Sequence, residues 1–192
     1  MKSKELVSSA DHTFCAFLRG VNVKGTNMKM ADVSSVFKQA GVKEVSSVLA
    51  SGNIIFTSER KEAELKLVLE KAMSDHFSYD AFLFVINIEG VETIFNDNPF
   101  HADPDYHVYS FVGIEGIENL LMSEFDKSKK APGEAAQIID SNFYWKVPKG
   151  NTLESEFGKI LGRKNLKNSF TSRNINTFEK VLKKGWYRPP II

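Results

Sequence analysis

Phe14-Cys15-Ala16-Phe17-Leu18-Arg19-Gly20-Val21-Asn22-Val23-Lys24-Gly25 passes abruptly from an unbroken apolar run into glycine, amide and cation. Such a run bounded by glycines reads as a buried strand, with the polar residues on the loop that leaves its carboxyl end. Ligands often bind at that end of a strand. The stretch has an echo in Ser51-Gly52-Asn53, which has the composition of a tight turn.

Working outward, Met30, Val33, Val36, Phe37 and Ala40 recur at helical spacing, and Gly41 stands where a helix ends. Residues 45–49 and 54–57 read as two strands flanking the Ser51-Gly52-Asn53 turn. Ser58 is placed to cap a helix whose inward stripe is Leu65, Val68, Leu69, Ala72, Met73 and His76, with Glu62 and Lys66 pairing four apart outside. Residues 82–88 close the unit with a strand apolar on both faces. The order is βαββαβ, the ferredoxin-like arrangement.

After a linker containing Pro99 and Pro104, the pattern begins again with a strand at 106–112, a helix carrying Ile117, Leu120, Leu121 and Phe125, and a hairpin of residues 135–139 and 143–147. A helix with Leu153, Phe157, Ile160 and Leu161 follows, then a last helix with Ile175, Phe178, Val181 and Leu182. No closing strand is evident between them. The expected fold is therefore α+β: two ferredoxin-like (βαββαβ-type) subdomains, 1–98 and 99–192, the second degenerate with extra C-terminal helices, the whole reading as a duplication by element order.

The 192 residues, 42% hydrophobic and 26% charged, with 15 Phe, suit a globular chain with a sizeable core. No run reaches the roughly 18 to 20 apolar residues of a membrane span, and Met1 to Asp11 has no signal-peptide core. With a single cysteine, Cys15, the expected location is the cytoplasm and no membrane partner is expected. Charge is unevenly spread: residues 1–145 carry 14 Lys and Arg against 21 Asp and Glu, a net of −7, whereas residues 146–192 carry 11 against 3, a net of +8. A basic end of this kind fits an anionic partner or a solvated helical face.

Several chemistries lack their signatures. Gly20 to Gly25 has no terminal Gly-Lys-Ser/Thr for β and γ phosphates, the three-glycine dinucleotide fingerprint is missing, and Ser51 is not framed as a hydrolase elbow. Cys15, mid-strand, reads as a small buried apolar residue. His101, Asp103, Asp105 and His107 alternate like the ligands of a divalent ion, yet match no established spacing and are broken by Pro104. No metal and no cofactor are assigned.

A donor-rich set of one chemical kind remains: Arg19, Asn22, Lys24 and Lys29 after the first strand, Ser51 and Asn53 in the hairpin, and Thr171-Ser172-Arg173-Asn174 before the last helix. Arginine with amide and hydroxyl donors is the usual equipment for phosphate or carboxylate. Arg19, Asn22, Lys29, Ser51, Asn53, Arg173 and Asn174 are accordingly the candidate ligand-binding residues, and no catalytic residue is assigned. The expected partner is an anionic small molecule or a nucleic acid, for which Phe143, Tyr144, Trp145, Trp186 and Tyr187 supply stacking candidates. An enzyme acting on a small phosphorylated or carboxylate substrate, and a structural or protein-interaction module whose motifs lock two halves together, are the alternatives.

The same segments carry a resemblance. Residues 17–23 with Lys29-Met30-Ala31-Asp32, then Ser51-Gly52-Asn53-Ile54-Ile55-Phe56, Asn98-Pro99-Phe100 and residues 171–177 resemble the bacterial family catalogued as domain of unknown function 1697. The resemblance runs nearly end to end and implies a bacterial cytoplasmic protein of two α+β, ferredoxin-like subdomains, with no activity to carry over. Lys24-Gly25 stands where the family often has Gly-Gly, and Ile175 where it often has Trp.

Overall fold

The computed structural model describes residues 11–21, 28–166 and 168–186. In chain order its elements are β1 (His12–Arg19), α1 (Met30–Gln39), β2 (Lys43–Val48), β3 (Asn53–Ser58), α2 (Glu62–Phe77), β4 (Phe82–Asn87) and α3 (Ile88–Asn96). There follow β5 (Tyr106–Gly113), α4 (Ile117–Lys127), β6 (Ala135–Ile139), β7 (Asn142–Pro148), α5 (Glu156–Leu161), a short 3-10 turn, β8 (Phe170–Asn174) and α6 (Ile175–Gly185).

The strands form two four-stranded antiparallel sheets, ordered β2-β3-β1-β4 and β6-β7-β5-β8. The protein is thus mixed α+β, consistent with two ferredoxin-like subdomains. One expectation is overturned. The second half does have its closing strand, because β8 pairs antiparallel along β5 from Asn174 opposite Tyr109 to Phe170 opposite Gly113. Its inward positions, Thr171 and Arg173, are polar for the reason given below, so the apolar alternation that marks a half-buried strand is missing.

Three apolar clusters hold the layers together. The first packs α1 and α2 on one face of the first sheet through Phe14, Leu18, Phe37, Phe56, Leu65 and Leu69. The third packs α4 and α5 on the outer face of the second sheet through Phe111, Phe143, Trp145 and Phe157. Between the sheets lie α3 and α6, whose Val91, Ile94, Phe178 and Val181 meet Phe17 and Ile55 on one side and Val112 and Tyr144 on the other. Tyr144 adds a hydrogen bond from its hydroxyl to the Ile94 carbonyl at 2.9 Å.

Smaller departures have local causes. Lys61 rather than Ser58 occupies the α2 N-cap, Ser58 instead accepting from the Arg60 amide. Lys66 turns from Glu62 to Glu70 and the Leu83 carbonyl, since from there its ammonium also lies 3.9 Å from the centre of the Phe82 ring. His76 is exposed. Among the described residues no helix is long and apolar enough to cross a membrane.

Candidate functional site

The donor-rich segments meet where β1 ends and β3 begins, at one pole of the first sheet. The β2–β3 turn is held there by Asn53, fully buried, whose amide nitrogen donates to the Val48 carbonyl at 2.8 Å and to Ser51 Oγ at 3.0 Å. Gly52 is required beside it. Its φ of +76° suits glycine, and a Cβ would stand 2.5 Å from Val21 Cγ2.

Arg173 arrives from the other sheet. It lies on β8, where it pairs with Ser110 of β5, and its side chain crosses to the first sheet. Nε donates to Asn53 Oδ1 at 2.7 Å; Nη1 donates to Thr171 Oγ1 at 2.7 Å and to the Ser172 carbonyl at 2.9 Å; Nη2 donates to the carbonyls of Leu18 at 2.6 Å and Ser51 at 3.0 Å. A guanidinium has five N–H bonds, and these five partners engage all of them. The group also lies 5.8 Å from the centre of the Phe17 ring. Burial pulls its pKa down from 12.5 to about 10, which leaves it cationic at neutral pH.

Arg19 makes the return crossing. Its Nη1 donates to the Phe170 carbonyl on β8 and its guanidinium sits 5.4 Å from the centre of the Phe170 ring, half-buried, with its pKa lowered by desolvation. Each sheet therefore sends an arginine into the other. A buried cation whose partners are carbonyls, a hydroxyl and an amide oxygen is costly to desolvate, so the acceptors must all be in place for the site to be stable.

The remaining candidates fall elsewhere. Ser51 contributes its carbonyl and hydroxyl to the turn, and Lys29 is an exposed N-cap of α1 whose side chain makes no cap hydrogen bond. Asn22 and Lys24 lie outside the described residues. Asn174 points away from Arg173: its Oδ1 caps α6 by accepting from the Asn176 amide, and its Nδ2 lies 3.3 Å from His107 Nδ1. Asn174 with His107, Asn98 and Phe100 lines a separate cleft of about 630 Å³. His101 and Asp103 are exposed, and no three His, Cys, Asp or Glu side chains among the described residues are grouped to hold a metal. Cys15 is fully buried, and desolvation drives its pKa up, so it stays a thiol.

The stacking candidates require correction. Phe143, Tyr144 and Trp145 are core side chains, each no more than 1% exposed, and cannot meet a base. Tyr187 lies outside the described residues. Trp186 is 53% exposed and follows α6, along which Lys180, Lys183 and Lys184 face Ser46 of β2 across a groove of about 470 Å³. These three lysines are the part of the basic excess of residues 146–192 that shares one face, which the charge count alone does not single out.

Fold and site together define an α+β protein whose two antiparallel sheets are bolted to each other by reciprocal arginines. The chain belongs to the family described as a protein of unknown function, DUF1697, which matches residues 12–144. The match ends before residues 171–177, the last of the four segments quoted for the resemblance. Among solved structures, the chain is similar to a conserved bacterial protein from Streptococcus pneumoniae at 22% identity, with a TM-score of 0.73 over 91% of this chain and 98% of that one. That likeness establishes the shared fold. No curated protein matches the chain.

Proposed function

We propose that the donor-rich motifs form an internal lock, and that the protein is an interaction module whose two subdomains, 1–98 and 99–192, are held by it as one body. The observation that carries this reading is the saturation of Arg173: its five N–H bonds end on protein acceptors from both sheets, which leaves no donor for a ligand. We read the halves as a duplication and the protein as bacterial and cytoplasmic, in keeping with its family and its bacterial structural neighbour. The test compares Arg19→Ala and Arg173→Ala in denaturant unfolding and in binding to a panel of nucleotides. Loss of stability with nucleotide binding unaltered supports the lock; retained stability with lost nucleotide affinity refutes it.

A second reading keeps the phosphate-bearing partner and moves it to α6. Lys180, Lys183 and Lys184 beside the exposed Trp186 combine a cationic groove with one aromatic platform, which fits a nucleic acid strand. Such binding is steeply salt-dependent. A labelled oligonucleotide whose affinity at low salt is the same for the wild type and for the triple Lys→Ala variant would rule it out. For the enzyme alternative, Cys15, the thiol that feels the Arg173 charge, offers no base at the lock, since it stays protonated.

A further inference from the structure

The two halves can be laid over each other by strand register. In the first, Phe14 stands opposite Asn87 on β4 and Phe17 opposite Asn53 on β3. In the second, Tyr109 stands opposite Asn174 on β8, and the β5–β7 register, carried two residues past Ser110 and Tyr144, sets Val112 opposite Asn142. Asn87 and Asn174 each cap the helix that follows. Matching these marks places Asn142 where the first half has Asn53, Ile114 where it has Arg19, and Ile86 where the second half presents Arg173.

The pole of the second sheet therefore corresponds to the lock, with both arginines replaced by isoleucine. A cavity of about 650 Å³ opens there, lined by Ile86, Gly113, Ile114, Ser141 and Asn142 from the corresponding positions, together with Glu115 and Glu118. Among the described residues no lysine or arginine lines it. The amino end of α4 also faces this space and by itself favours an anion; Glu118 in its first turn and Glu115 ahead of it offset that preference.

We propose that this cavity binds a ligand bearing an alkylguanidinium group, in the orientation Arg173 has at the first pole. The apolar side chains of Ile86, Ile114 and Phe84 face the methylene stem, and the cationic head meets Asn142, the turn carbonyls and the glutamates. The source of that group is a small molecule or an arginine of a bound peptide. The assignment rests on the geometry of the lock and stands whether or not α6 binds nucleic acid.

The experiment titrates the intact protein with n-butylguanidinium, with its neutral isostere n-butylurea, with the capped tripeptide Gly-Arg-Gly and with pyrophosphate, followed by calorimetry and amide chemical shifts. Saturable binding of butylguanidinium or the tripeptide, with shifts at residues 113–119 and 141–142, is expected, and the tighter of the two identifies the source. Asn142→Ala is expected to weaken it about tenfold, the scale of one hydrogen bond to a charge. Ile86→Arg supplies the guanidinium from within and is expected to abolish binding in a folded protein; if that variant does not fold, Asn142→Ala decides. Equal binding of butylurea, preferred binding of pyrophosphate, unchanged affinity in Asn142→Ala, or no binding of either guanidinium probe overturns the proposal.

Discussion

At the pole of the first sheet a partly buried guanidinium ties Leu18, Ser51 and Asn53 to the neighbouring sheet, whereas at the matching pole of the second sheet Ile86 and Ile114 flank an open cavity. The frame is shared, down to an asparagine at the start of the central hairpin strand and an asparagine cap where the edge strand runs into a helix. The difference is that the same strand frame recurs without the arginine: one pole has its donors and acceptors engaged across the two sheets, and the other is open. Substitutions at matched positions should therefore have unmatched effects.

The largest asymmetry is expected at Arg173. Arg173→Ala leaves the buried Asn53 Oδ1 and the Leu18 carbonyl without their donor and frees the exposed Ser51 carbonyl, at a cost of about 3 kcal/mol in denaturant unfolding. Arg173→Lys should recover little of it, because three donors on a point charge cannot replace a five-donor fork. Ile86→Ala at the matched position trims a half-buried side chain and should cost about 1 to 2 kcal/mol. Equal losses at the two sites would break the comparison.

The turn glycines sharpen it. Gly52→Ala combines a φ of +76° with a Cβ 2.5 Å from Val21, and should cost about 3 kcal/mol. Gly116, beside the second cavity, has a φ of +79° with no described residue within 4 Å of a Cβ, so Gly116→Ala should show the backbone effect alone, about 1 kcal/mol. Next come the asparagines. Asn53→Ala strips a fully buried group of its bonds to Arg173, Val48 and Ser51 and should cost about 2 kcal/mol, while Asn142→Ala, half-exposed, should stay within about 0.5 kcal/mol. Thermal or denaturant melts of the four variants check both pairs.

Much of this frame was legible in the sequence, and the reasons differ by element. The strand at 14–18, the helix begun at Met30 and the hairpin across Ser51-Gly52-Asn53 announce themselves because each buries apolar residues at its own period. The strand of residues 170–174 does not, because its inward positions are taken by Thr171, which accepts from Arg173, and by Arg173 itself, whose partners Asn53, Leu18 and Ser51 lie more than a hundred residues away. The same long range hid the use of the site: arginine, serine and asparagine in one set are as well suited to a protein carbonyl as to a phosphate, and only the positions of Leu18, Ser51 and Asn53 show which acceptors are within reach. The second cavity had no such signal, since isoleucine stands at the positions where the first pole has its arginines, and only the register between the halves reveals what it corresponds to.

The last comparison is the matched pair Cys15 and Ser110, which face the same inter-sheet layer, one opposite Ile86 and the other opposite Arg173. Burial raises the Cys15 pKa above its ordinary 9.0, so the native state keeps its proton after the unfolded chain has lost it. The stability this contributes is fully present below pH 9 and declines as pH rises beyond it. Tyr144, also raised by burial, adds to the decline only from its ordinary value of 10 upward. Urea unfolding between pH 8 and pH 10 should thus show a fall that Cys15→Ala removes. Ser110 is fully buried, and its hydroxyl has no hydrogen-bond partner among the described residues. Ser110→Ala should leave the pH slope in place and stabilise the protein by about 1 kcal/mol at every pH, because it deletes an unpaired polar group beside a cation whose donors are already engaged. A loss of stability in Ser110→Ala would mean that the hydroxyl is part of the lock, and that the lock extends further into the second sheet than the partners of Arg173 indicate.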